Sequence, residues 1–432
     1  MSGSAADGAI VQLRIDAIGS GGAGVGRDPD GRVVFVQRTA PGDLVRLEIT
    51  DARKRWARGR LREVLEAGPG RREPPCPLFE RCGGCTLEHL QYPAQLEAKR
   101  RLVRDALARI GGVTLPGDIA ITGSPVEFQY RNRVSFTLRR LGARVVAGFH
   151  ELDRPAHVLD VDERCLLPEP ALATAWGALR RAWGERAERL PRGGNLRLTL
   201  RTTGAGQVSL LIDGGVGRGA PDALLAAVPG LAAIWHRGDG APAATLLAGE
   251  AEVAEVWAGE NVGLSGALFL QVNRSAATLL EAHVLALAGN LQGATVIDAY
   301  CGVGLHARRL ARGGARVIGL ELDAHAVAQA RLHAPAGAEF REGRVELLLE
   351  SALPADLCIL NPPRAGVDGH ALDTLLARPP QRLIYVSCDP ATLARDLARL
   401  GTAYRLRTVQ CFDLFPQTSH VETVVELACC IT

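Results

Sequence analysis

Residues 294–307 read ATVIDAYCGVGLHA. An apolar run ends in Asp298, a turn follows with glycine at Gly302 and Gly304, and a stretch with helical spacing comes next. A strand apolar on both faces that feeds a glycine turn and a helix is the opening unit of a doubly wound α/β sheet. Three more apolar runs lie downstream: ARVIGLEL at 315–322, DLCILNPP at 356–363 and RLIYVSC at 382–388. Helical stretches separate the first, second and fourth runs from their neighbours. This alternation predicts a Rossmann-like parallel sheet over residues 259–432.

The glycine turn admits two ligands. Read as G-x-G-x-x-A, it would cradle a dinucleotide pyrophosphate. Read as D-x-x-x-G-x-G, it suits S-adenosylmethionine, which has no pyrophosphate. Glu321 ends the following strand, where a carboxylate accepts hydrogen bonds from ribose hydroxyls in either case. The loop Asn361-Pro-Pro-Arg364-Ala-Gly366 stands at the carboxyl edge of the sheet, where such folds bind ligands. Dinucleotide folds do not call for that loop, so it shifts the reading towards methyl transfer. A third feature is the thiol of Cys388 at the end of a buried strand, followed by Asp389 and a proline. A strand end holds a nucleophile rigidly while the loop leaves it reachable. Near the end of the chain, Asp413-Leu-Phe-Pro-Gln-Thr-Ser-His420-Val-Glu422 places a histidine and a carboxylate beside the final strands, and a carboxylate base beside a nucleophilic thiol makes chemical sense.

Upstream, residues 9–66 alternate apolar and polar positions between Gly, Asp and Pro turns. They predict a five-stranded OB-like β-barrel over 6–67, with GSGGAGVGRDPDGR read as a turn-rich loop. Arg53, Lys54, Arg55, Arg58, Arg60 and Arg62 surround Trp56, either as a solvated face or as a surface for phosphates and a stacked base. Residues 68–258 predict an α+β domain: a helix over 93–112 that could pack on the catalytic sheet, helices over 169–187 and 221–227, and several strands. Its Pro/Gly-rich entry carries Cys76, Cys82 and Cys85, with Cys165 far downstream. Four such thiolates suit one metal centre, and the spacing leaves zinc and an iron–sulfur cluster equally open.

The chain has 432 residues, ten cysteines and a net charge of +3, too few cysteines for a disulfide scaffold and too little charge to name a partner. Lys54 and Lys99 are the only lysines, so richness in arginine alone says little about nucleic acid. The opening MSGSAADGAI has no basic and apolar signal pattern, and no apolar run is long enough for a bilayer, so a cytoplasmic protein is expected.

These blocks, in this order, resemble the RNA uracil-C5 methyltransferases over nearly the whole chain. The barrel resembles the TRAM RNA-binding module. CPLFERCGGCTLEHLQYPAQLEAKRRLVRDAL resembles the family's iron–sulfur segment and the helix after it. FLQVN at 269–273 resembles a cofactor motif, and DAYCGVGL, GLELD, NPPRAG, SCDPATLARDL and FPQTSHVE match the remaining blocks. The resemblance implies a class I methyltransferase sheet that binds S-adenosylmethionine through Gln271, Asp298, Tyr300, Gly302, Gly304, Glu321 and Asn361. It implies Cys388 as the nucleophile, Glu422 as the base, and a [4Fe–4S] cluster on Cys76, Cys82, Cys85 and Cys165. The barrel and four cysteines resemble the branch acting on 23S ribosomal RNA more than the transfer-RNA branch. Two positions depart from the family, which usually has Asp at Asn361 and Asn at Asp389. The first removes a charge near the cofactor, and the second adds one beside Cys388 that tends to raise a thiol pKa. Rival readings explain less. A nicotinamide oxidoreductase has no use for Cys388 and Glu422. A catalytically silent RNA-binding protein would not need the bond-making residues. Methylation of an adenine amino group usually has an aromatic residue where Arg364 stands.

Overall fold

The computed structural model describes residues 7–115, 117–266 and 268–430. Residue 6, the first of the expected barrel, and most of the opening stretch lie outside the described residues. Strands Ile10–Ile18, Gly24–Arg27, Val33–Val36, Leu44–Ala52 and Trp56–Glu66 close into a barrel. Its core is Leu13, Ile15, Val34, Val36, Val45, Leu47, Ile49 and Ala57, the inward half of the alternation. The second strand falls where the sequence predicted a loop. A Cβ at Gly24 would stand 2.0 Å from Thr39 Oγ1, and one at Gly26 would stand 2.4 Å from the Arg14 carbonyl. Close approach demands glycine there, so the strand carries no strand-like composition.

The central sheet has six strands in the order Thr245–Gly249, Leu231–Arg237, Val208–Asp213, Asn195–Thr202, Arg133–Leu141 and Arg144–Gly148. Helices Pro170–Ala182 and Pro221–Ala227 cover one face, where the rings of Phe136 and Trp176 stack with centroids 4.2 Å apart. The first of these helices stops short of residue 187 because Gly184 takes a left-handed φ of +88°.

The third body is an eight-stranded sheet. Its order is Ala338–Glu342, Arg316–Glu321, Thr295–Ala299, Leu357–Leu360, Arg382–Ser387, Glu422–Cys429, Tyr404–Phe412 and Ala120–Thr122. The first five strands run parallel, and Glu422–Cys429 runs antiparallel to both its neighbours. The strand order reverses between Thr295–Ala299 and Leu357–Leu360, which opens a crevice at their carboxyl ends. The edge strand Ala338–Glu342 was not foreseen, because only Phe340 in it is buried.

Two boundaries move. Helix Tyr92–Arg109 and strand Ala120–Thr122 belong with the catalytic sheet: Val103 and Leu107 enter its core, and the strand pairs with Tyr404–Phe412. The hairpin Val253–Trp257/Glu260–Leu264 packs on the other core cluster of that sheet, with Val296, Ile359 and Ile384, through Val253, Trp257, Val262 and Leu264. The catalytic body therefore begins a few residues before 259. No helix among the described residues is long and apolar enough to cross a membrane.

Candidate active site

A cavity of about 1430 Å³ opens at the strand-order reversal. Gln271, Tyr300, Gly302, Glu321, Asn361, Cys388 and Glu422 all line it. Asp298 and Gly304 do not. Asp298 is buried beneath the turn, where its Oδ2 accepts a hydrogen bond from Ala307 N at 3.0 Å and holds the start of helix Leu305–Arg312. Burial pushes its carboxyl up to about 7. Gly304 has φ +73°, and a Cβ on it would meet the Phe340 ring at 2.4 Å. These two residues shape the turn, while Gly302 faces open space with nothing within 4 Å of an added Cβ. Glu321 Oε2 accepts from Gly302 N at 2.9 Å, and its Oε1 accepts from Leu322 N and Asp323 N. The carboxylate is thus fixed at the edge of the space left by Gly302, as a site for ribose hydroxyls requires.

Cys388 and Glu422 are brought together by strand register. Arg382–Ser387 pairs antiparallel with Glu422–Cys429, and Ser387 is opposite Thr423. Cys388 directly follows Ser387, and Glu422 directly precedes Thr423. Burial pushes the thiol up to about 11, with the Glu422 and Asp389 charges adding and the Arg364 guanidinium opposing. Asp389 is also occupied as the cap of helix Pro390–Leu400, where Oδ1 accepts from Ala391 N and Thr392 N at 2.9 Å. The extra charge at that position therefore secures the helix that follows the nucleophile. Burial pushes Glu422 up to about 7, against the pull of Arg364. His420 is held at about 4 by burial and by Arg364, whose Nη2 donates to His420 Nε2 at 3.4 Å.

Arg364 and Gln417 were missed by the sequence reading. Arg364 lines the cavity and is a cation that favours both the thiolate and the carboxylate. Its signal was present in the Asn-Pro-Pro-Arg loop but was given no role. Gln417 has a left-handed φ of +69° and is fully buried in the loop that leads to Glu422. Its Oε1 accepts from Arg72 Nη2 and Gln95 Nε2, its Nε2 donates to the Glu127 carbonyl, and its N–H donates to Gln95 Oε1. Its carbonyl accepts from Thr86 N and Leu87 N at 2.8 and 2.9 Å. No local pattern announces a glutamine held this way, because all its partners are distant in sequence.

The same loop is clamped by Lys99, which is fully buried with Asp413 and also donates to the Phe415 carbonyl at 3.0 Å. Lys99→Met should lower unfolding stability by about 3–5 kcal/mol, since it leaves a buried carboxylate unpaired. Denaturant unfolding would measure this, and Lys99→Met/Asp413→Leu should recover part of the loss.

Three of the four cysteines, Cys76, Cys82 and Cys85, lie on the chain segment tied to this loop. Thr86 and Leu87, which hold Gln417, directly follow Cys85. Arg38 donates to the Cys82 and Cys85 carbonyls at 2.7 and 2.9 Å and fixes the Cys-Gly-Gly-Cys turn. The thiols oppose one another's ionisation. Cys165 is pushed up to about 12 by burial, with Cys82 and Cys76 adding, and Cys85 is raised by burial with Glu88, Cys165 and Cys82 adding. Among the described residues, no group of three or more His, Cys, Asp or Glu stands close enough to hold a metal ion.

Comparison with known proteins agrees with this architecture. Residues 6–61 match the TRAM domain, and residues 344–429 match the family described as tRNA (uracil-5-)-methyltransferase. An uncharacterised RNA methyltransferase of Gloeobacter violaceus is 36% identical over 98% of this chain and 98% of its own. Another, from Thermosynechococcus vestitus, is 36% identical over 97% and 98%. The crystal structure of Pyrococcus abyssi tRNA (uracil-54, C5)-methyltransferase in complex with S-adenosyl-L-homocysteine superimposes with a TM-score of 0.75 and 25% identity. It covers 96% of this chain and 100% of that one. The chain belongs to the RNA uracil-C5 methyltransferase family, with a TRAM barrel in front of a class I, S-adenosylmethionine-dependent sheet.

Proposed function

We propose that the protein methylates C5 of a uridine in structured RNA, with Cys388 as nucleophile and Glu422 as base. The observation that carries this reading is that Cys388 directly follows the last paired residue, Ser387, and Glu422 directly precedes its partner Thr423, and that both line the cavity that Gln271, Gly302 and Glu321 also line. C5 of uracil is a poor nucleophile. Addition of the Cys388 thiolate to C6 breaks the C5–C6 double bond and makes C5 an enolate carbon. S-adenosylmethionine supplies the electrophilic methyl group on its sulfonium. Glu422 then takes the surplus proton from C5, the S–C6 bond breaks, and the double bond returns. Written from thiolate to thiolate, one proton leaves the ring, and it leaves through Glu422. A carboxyl at about 7 is matched to such a transfer near neutral pH. The target base must be turned out of its stack to reach the cavity.

The favoured substrate is 23S ribosomal RNA in the cytoplasm, because the barrel and four cysteines resemble that branch. A transfer-RNA substrate is the second reading, favoured by the full-length likeness to the Pyrococcus abyssi enzyme. Mass spectrometry of ribosomal and transfer RNA from a deletion strain decides between them: the missing 5-methyluridine names the substrate, and unchanged RNA in both pools rejects the activity.

Cys76, Cys82, Cys85 and Cys165 are assigned to a [4Fe–4S] cluster on the family resemblance of the segment that carries the first three of them. A four-iron cluster is larger than one ion and accepts thiolates set further apart. Anaerobically purified protein should contain iron and sulfide in equal amounts. Stoichiometric zinc without sulfide would reject the assignment.

A further inference from the structure

Helix Arg274–Ala288 buries an apolar stripe of Ala276, Ala277, Leu280, Val284 and Ala288, and one carboxylate interrupts it. Glu281 is only 6% exposed. Its Oε1 accepts from Trp257 Nε1 at 2.8 Å, while its Oε2 is buried without a hydrogen-bond partner. Arg309 Nη1 stands 3.8 Å from Oε2, within reach of an ion pair and too far for a hydrogen bond. Burial raises the carboxyl above its ordinary value, against the pull of Trp257 and Arg309. One oxygen is enough to hold the Trp257 ring, and a neutral amide would do that as well. A charged group with a spare buried oxygen is costly to keep on an apolar helix face unless a ligand uses it.

Trp257, Ala277, Leu280, Glu281, Leu305 and His306 line the catalytic cavity on the side formed by helices Arg274–Ala288 and Leu305–Arg312. The His306 side chain forms no hydrogen bond among the described residues, and its Nε2 is buried. Burial and the Arg309 charge hold the ring at about 4. Near neutral pH it is therefore uncharged, with one ring nitrogen a donor and the other an acceptor. An anionic acceptor and a neutral donor, both close to Arg309, are thus left unused at one end of the cavity. The sulfur of S-adenosylmethionine carries three arms: adenosine, the methyl group and an α-amino acid tail. On the functional reading above, Glu321 takes the ribose and Cys388 holds the carbon ring that receives the methyl group. The tail then takes the remaining side, between the two helices. It is a zwitterion, with an ammonium and a carboxylate on one carbon.

We propose that Glu281 and His306 bind the amino acid tail of S-adenosylmethionine, Glu281 Oε2 accepting from the ammonium and His306 donating to the carboxylate. This assignment rests on the S-adenosylmethionine reading of the cavity, and it adds two residues that neither the glycine turn nor the acidic strand end marks. Each pairs with one half of the zwitterion, so together they select a cofactor with an intact tail over one that has lost either group.

Titration calorimetry of the full chain without RNA, near neutral pH, tests this with three probes. S-adenosylhomocysteine carries the whole tail, decarboxylated S-adenosylmethionine keeps only the ammonium, and 5′-methylthioadenosine has a methyl group in place of the tail. Glu281→Gln keeps an acceptor for Trp257 Nε1 and removes the charge. It should weaken S-adenosylhomocysteine and decarboxylated S-adenosylmethionine by about tenfold or more and leave 5′-methylthioadenosine unchanged. It should melt no lower than wild type without ligand, because the buried charge goes while the Trp257 bond stays. His306→Phe keeps a ring and removes the donor. It should weaken S-adenosylhomocysteine alone, by about tenfold. Unchanged affinity for S-adenosylhomocysteine in either variant would overturn the role of that residue. An equal loss for all three probes would overturn it too, since a distorted cavity gives that result. Wild-type protein that binds none of the probes would reject the S-adenosylmethionine reading itself, and the tail site with it. Binding is read without methyl transfer, so the uracil chemistry can fail while the tail site stands.

Discussion

Glu422→Gln should join the protein covalently to its RNA. The amide keeps the shape of the carboxyl but cannot accept the C5 proton. On the proposed mechanism, thiol addition and methyl transfer should go forward and elimination should stall. A protein–RNA adduct that survives denaturing electrophoresis should accumulate to nearly one per enzyme, while multiple turnover falls by about 10³-fold or more. Turnover at the wild-type rate would exclude Glu422 as the base and leave His420 as the next candidate. Two further readouts come from the same charge. The Glu422 carboxylate adds to the pressure that holds the Cys388 thiol at about 11, so iodoacetamide should alkylate Cys388 faster in the variant. The folded-state pKa of Glu422 is raised from 4.5 to about 7, so the stability linked to its proton is full below about pH 4.5 and is lost as pH rises through about 7. Above that pH the buried charge costs on the order of 3 kcal/mol, and glutamine escapes the cost. The variant should therefore melt higher than wild type at pH 8 and close to it at pH 4.5.

Cys388→Ala should remove turnover altogether, on the order of 10⁵-fold or more, because no neighbouring group can replace the sulfur that activates C5. Binding of S-adenosylhomocysteine should change little, since Gly302 and Glu321 lie on other strands and turns. Cys388→Ala/Glu422→Gln should form no adduct with RNA. Methylation by the purified single variant, or an adduct in the double variant, would show that another nucleophile is at work.

Several features could be read from the chain without coordinates. Unbroken apolar runs before glycine or proline turns gave the parallel strands, since a strand covered on both faces must be apolar throughout. Thr295–Ala299, Arg316–Glu321, Leu357–Leu360 and Arg382–Ser387 all fall in those runs. The three closely spaced thiols of Cys76, Cys82 and Cys85 and the thiol at a strand end were visible for a similar reason: the chemistry needs particular atoms, and few residues carry them. Strand Gly24–Arg27 was hidden because close packing selected glycines, and Ala338–Glu342 was hidden because an edge strand buries little. Helix Tyr92–Arg109 read correctly as a helix, but its apolar face does not state which sheet will cover it.

The larger gap concerns what meets what. Residue spacing records whether a side chain is buried, and it does not record the partner. Asp298 and Gly304 stood in the motif beside Gly302, yet the fold turns them inward to hold the helix and admit Phe340. Cys388 and Glu422 are thirty-four positions apart in the chain, and the antiparallel pairing of Ser387 with Thr423 brings the residues beside them to the same end of two adjacent strands. Gln417 gains its place from Arg72, Gln95, Thr86, Leu87 and Glu127, and Arg201 stands opposite Arg133 across a sheet. Pairings of this kind come from strand register and domain packing, which close long loops between distant segments. Local composition fixes the elements, and the shifts of Cys388 and Glu422 exist only once those elements have packed and excluded water.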